Sequence, residues 1–168
     1  MSMESDPIAV DFGRPDAGWI DFRMSAGDQT MAFPISHAFD PFQGDFRIWL
    51  EEIARTGSGK LSIDTEGSPA EIVVIDAGDG RIAITGHPHL PTLPVLQVEA
   101  DRHAFVHVFY DSLVGFWESP ELSDHWSQWV FPEAHVDGTP QWDEDQIAKP
   151  WPIRSTIVEE YLRRREDA

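Results

Sequence analysis

The sequence predicts a single α+β domain: an antiparallel sheet of five or six strands, two or three helices packed on it, and a tryptophan- and proline-rich C-terminal wrap. Three observations predict it. The chain has 168 residues, about one domain's worth. Its content of 41% apolar and 11% aromatic residues suffices for an ordinary core. Short runs of period-two hydrophobicity alternate with two longer runs of helical period.

The first 15 residues read as a loosely ordered arm in which Ile8, Val10 and Phe12 alternate and can add an edge strand. From Gly18 to Ser25 the apolar residues Trp19, Ile20, Phe22 and Met24 fall largely at period two. Ala26-Gly27-Asp28 is a turn and Thr30 to Ser36 a second extended run, so this region reads as a β-hairpin. Asp40-Pro41 opens a helix as an N-cap followed by proline. Phe42, Phe46, Trp49, Leu50 and Ile53 then lie on one face and Gly57 stands where a C-terminal glycine belongs. Gly44 weakens the first turn, which moves the expected start toward Asp45.

Three short strands follow, Leu61 to Thr65, Ala70 to Ile75 and Arg81 to Thr85, with a hairpin loop at residues 76–80. The unbroken run Ile72-Val73-Val74-Ile75 predicts a strand covered on both faces. Pro88, Pro91 and Pro94 make a connector before a further strand at Leu93 to Glu99. Asp101 to Trp117 is the clearest helix, with Phe105, Phe109, Leu113 and Phe116 on one stripe and Val106, Tyr110 and Trp117 widening it. Ser119-Pro120 ends it. Residues 119–153 read as a wrapping segment anchored by tryptophans, with a short helical turn near residues 123–130. Ser155 caps a final helix within residues 154–166.

Charge excludes several functions. With 30 acidic and 12 basic side chains the formal charge is −18, which repels nucleic-acid phosphates and anionic membranes. Residues 154–168 hold four of the acidic and four of the basic side chains, so the whole surplus lies in the first 153 residues. There is no cysteine, hence no disulfide, thiolate nucleophile or cysteine-ligated metal. No spanning helix and no signal-peptide pattern is seen, and the expectation is a soluble cytoplasmic protein without cofactor.

Motif searches give little chemistry. Gly57-Ser58-Gly59-Lys60 lacks the phosphate-loop spacing and closes a helix instead of opening one. Acidic pairs such as Glu51/Glu52 and Glu159/Glu160 arise readily among so many acids. His103, His107 and Asp111 share one helical stripe, a geometry that can chelate a divalent metal and suggests a metal-dependent hydrolase as an alternative. Trp126 and Trp129 suggest, third, a platform for a sugar or small ligand.

The hairpin, the helix reading Phe46-Arg47-Ile48-Trp49-Leu50-Glu51-Glu52-Ile53-Ala54-Arg55-Thr56-Gly57, the short strands and the helix to Trp117 together resemble small acidic bacterial immunity-type and uncharacterised α+β single-domain proteins. The likeness covers residues 18–118 as an order of elements. It implies a cognate toxin partner and no catalysis. The charge alone favours the same class, a non-enzymatic acidic protein that binds a basic protein. Exposed Asp143, Glu144 and Asp145, with Trp142 as anchor, are the expected contact.

Overall fold

Period-two burial organises the seven longer strands. The computed structural model describes residues 7–130, 133–134, 140–141 and 152–166. Strands β1 (Ile8–Phe12), β2 (Trp19–Ala26) and β3 (Gln29–Ser36) form a meander in the order β1-β2-β3. In β2 the residues Ile20, Phe22, Met24 and Ala26 point inward, while Asp21 and Arg23 face out. The β2–β3 turn is Gly27-Asp28, as the turn residues indicate, and Gly27 supplies the positive φ of 58° that it needs. β1 is the edge strand that the alternation of Ile8, Val10 and Phe12 allows: residues 8–12 pair along β2, and Phe12 is seated in the core.

Two 3₁₀ turns lead into the first long helix. Asp40 caps the second of them, Pro41–Gln43, by accepting from the Phe42 N–H at 2.8 Å. Helix α1 (Asp45–Thr56) starts after Gly44 and ends at Gly57, whose φ of 80° is the left-handed cap conformation. Phe46, Trp49, Leu50 and Ile53 form its buried face, as their spacing predicts.

The second sheet is formed by β4 (Gly59–Asp64), β5 (Pro69–Gly78), β6 (Arg81–His87) and β7 (Leu96–Asp101), antiparallel in the order β4-β5-β6-β7. This overturns the expectation of one sheet of five or six strands. Chain alternation is the same whichever sheet a strand joins, and α1 separates β3 from β4, so two meanders form instead of one continuous ladder. The sheets meet through their inner faces. Met31 of β3 fills the space over Gly86 of β6, where a Cβ would stand 2.6 Å from its sulfur. The Gln29 side-chain amide adds a directional clasp, donating to the Gln97 carbonyl at 3.2 Å and accepting from the Gln97 N–H at 2.7 Å.

Only the inner face of the second sheet is covered, which corrects the reading of residues 72–75 as buried on both sides. Ile72 and Val74 are buried, Val73 is half-buried, and Ile75 is 58% exposed. Both sheets and the helices converge on one core, which leaves the outer face half-buried at Val73 and open at Ile75.

Helix α2 (Arg102–Trp117) crosses that core, capped by Asp101, which accepts from the Ala104 N–H at 2.8 Å. Phe12, Phe42, Phe46 and Phe109 interlock, with ring centroids 5.7 Å apart for Phe12–Phe42 and 5.7 Å for Phe46–Phe109. Each such buried ring contributes about 1.5–3 kcal/mol of transfer free energy. Ser119 caps a short helix, α3 (Pro120–Asp124), and α4 (Trp126–Trp129) follows at once. A two-residue pair, β8 (Glu133–Ala134) with β9 (Pro140–Gln141), and the terminal helix α5 (Thr156–Glu166) complete the elements. Among the described residues no helix is long and apolar enough to cross a membrane.

Candidate functional site

Four places hold polar or aromatic groups of chemical interest. The expected contact residues Trp142, Asp143, Glu144 and Asp145 are not among these places; they lie outside the described residues.

The α2 stripe separates into two unrelated interactions. The His103 Nε2 lies 2.9 Å from the Leu162 carbonyl of α5, so that nitrogen carries a proton toward a backbone acceptor and offers no lone pair there. His107 Nε2 pairs with Asp111 at 3.0 Å on the surface, one turn apart, with both side chains more than half exposed. The two imidazole centroids are 6.3 Å apart. Among the described residues no group of three histidine or acidic side chains converges as a metal site would require. The His103, His107 and Asp111 chelate is corrected on this geometry.

The tryptophan platform is corrected as well. Trp126 is 5% exposed and Trp129 fully buried, because both anchor the segment after α2 to the body. Trp126 meets the Trp117 ring edge-on at 5.6 Å, and Trp129 meets His37 at 5.3 Å. Large apolar rings next to proline-rich chain serve attachment here, and neither offers a face for stacking.

Beside Trp129 sits Asp40, the cap described above. Burial pushes its carboxyl up to about 6, against the opposing pull of the Phe42 N–H and Gln43 amide bonds. The Trp129 Nε1–H faces this carboxylate without closing an ordinary hydrogen bond. Burial also lowers the His37 imidazole and raises the Asp45 carboxyl. The group is a desolvated helix entrance, with Asp45 at its far side lining the cleft beside β4.

A polar latch holds α5. The buried Ser155 hydroxyl donates to Glu51 at 2.8 Å and accepts from the Val158 N–H at 3.2 Å as the helix cap. The Ser155 N–H donates to the Tyr110 hydroxyl at 2.9 Å, which in turn donates to Glu159 at 2.8 Å. Burial, reinforced by Glu159, pushes the Tyr110 phenol up to about 12. Arg154 grips Glu118 through two nitrogens, at 2.7 and 2.9 Å, and reaches Glu159 at 3.2 Å. Glu51 and Glu159, acids that sequence pairing placed beside Glu52 and Glu160, thus hold a helix in place.

No protein-family model matches this chain, and neither a curated protein nor a solved structure does.

The surface also carries distributed acid and several open depressions, of which the groove beside β4 joins apolar and acidic side chains to a strand edge. Asp11 and Asp21 stand on the outer face of the first sheet, Asp64 and Glu99 on that of the second, and Glu121, Asp124 and Glu160 on the helices, all exposed. Between α1 and the outer edge of β4 runs a cleft of about 230 Å³ lined by Asp45, Ile48, Trp49 and Glu52 on one side and residues 60–62 on the other. Sequence reading missed this cleft. Its helical wall is an i, i+3, i+4, i+7 stripe adjoining the core stripe, and only the position of β4 shows that it borders a free strand edge.

Proposed function

We propose that this protein is a non-enzymatic acidic binding protein whose partner is a basic protein, an immunity-type inhibitor of a basic toxin being the most concrete form. The observation that carries the reading is the charge of −18 displayed at exposed positions on both sheets and on the helices. Acids held in solvent at the outer faces project a potential of several kT, which speeds encounter with a cationic surface and repels anionic competitors. The resemblance in the order of elements supports the same class.

Capture from the native host with the full chain tests it. Basic proteins are expected to dominate what is retained, with association slowing as salt rises. Reversal of Asp143, Glu144 and Asp145 to lysine is expected to slow association and flatten its salt dependence, read by surface plasmon resonance against the captured protein. Retention of acidic and basic proteins alike, with no salt dependence, would overturn the reading.

A further inference from the structure

We propose that the groove between α1 and β4 receives an extended, basic segment of the partner protein as an added strand on the β4 edge. The proposal rests on the reading that the partner is basic, and it locates where that partner docks.

β4 is an end strand of its sheet, hydrogen-bonded to β5 on one side only. The outer row of N–H and C=O groups on such a strand is a template for another extended chain. Among the described residues, no backbone group of residues 59–64 bonds outside the β4–β5 ladder. Among the described residues, that row has no second strand paired to it where it meets the groove.

The wall opposite supplies specificity. Ile48, at 56% exposure, is an apolar contact point presented to solvent, next to the buried Trp49. The Trp49 indole backs this wall, its buried Nε1–H lying 3.3 Å from where a Cβ on Gly59 would stand at the start of β4. Asp45 and Glu52 flank these two side chains, and neither has an ion-pair partner among the described residues. The lysine of the facing wall, Lys60, is held by Glu71 at 2.9 Å. The groove thus has free negative charge at both ends of an apolar centre.

Its size selects the occupant. A cleft of about 230 Å³ falls below the usual range for drug-sized ligands but accommodates the alternate side chains of one strand. A second copy of this chain would bring another charge of −18 to the same edge, so a cationic strand is the favoured occupant.

The test uses the full ¹⁵N-labelled chain and an acetylated, amidated ten-residue peptide alternating lysine with valine, beside its glutamate–valine counterpart. Amide shifts confined to residues 45–52 and 59–64, with slowed exchange in β4, are expected with the lysine peptide and not with the glutamate peptide. Asp45→Lys/Glu52→Lys, both exposed sites, is expected to weaken binding about tenfold or more. Shifts scattered over the acidic surface would overturn the groove. So would β4 perturbation on concentrating the protein alone, which marks self-pairing. Should a basic protein be captured with equal affinity by the double variant, the groove fails and the basic-partner reading stands. Equal binding of both peptides at β4 would retain the edge as a docking site and overturn its cationic preference.

Discussion

Asp40 shows how one side chain serves two opposed demands. Its carboxylate caps a 3₁₀ turn, a task that favours charge, in a setting whose desolvation favours the neutral acid. With a folded value of about 6, above the unfolded carboxylate range, the fold prefers the protonated form. That stabilisation is complete below about pH 4 and is lost as the pH rises through about 6. Asp40→Asn keeps an acceptor for the Phe42 N–H and never ionises. It is expected to raise Tm at pH 7.5 by the equivalent of about 1–2 kcal/mol and to leave it unchanged at pH 4, measured by paired thermal melts. Equal destabilisation at both pH values would show that the capping bonds of the anion outweigh its burial. Sequence alone marks Asp40 as a cap, since Asp-Pro is a local pattern. Its shifted ionisation was not legible, because burial is set by tertiary packing, and even the Trp129 beside it lies 89 positions downstream.

Among the elements, α5 is held by apolar and polar contacts together. Val158 is buried and Tyr161 and Leu162 pack against the core, while Ser155, Tyr110, Glu51 and the Arg154 pairs latch its start. Ser155→Ala removes the cap and leaves Glu51 with Arg47 as its remaining partner in the latch. A loss of about 2 kcal/mol is expected, with amide exchange accelerated in α5 ahead of α1 and α2. Exchange rising equally in all three helices would show that the latch supports the whole fold. The cap was readable from Ser155 itself, as was α2 from its repeating aromatics. The partners were not: Glu51 lies 104 positions away, and nothing in an acidic pair announces which member will turn inward. The α1–β4 groove was hidden for the same reason, since its two walls are brought together by packing and not by spacing.

For the whole molecule the decisive feature is the division into two sheets. Each of the seven longer strands was legible to within a few residues from its alternation and flanking turns, whereas the short β8–β9 pair was not. Sheet membership was not, because an inward residue looks the same whichever layer it helps to cover. The seam can be probed at Gly86, where Met31 occupies the place of a Cβ. Gly86→Ala forces a fully buried side chain to move and is expected to cost about 1–3 kcal/mol, read by chemical denaturation. Met31→Val, which shortens that side chain, is expected to recover part of the loss in the double variant. The net charge acts on the same scale: screening its self-repulsion should raise Tm as salt is added from low ionic strength.

Apolar layers slide over one another with little directional preference, whereas the Gln29 amide meets the Gln97 backbone in both directions at once. It behaves as an alignment pin. A slip of β7 by two residues would keep every inward and outward side chain in phase, yet the pin would miss its hole and each β6–β7 partner would change, so the slipped assembly would lose its directional contact between the sheets.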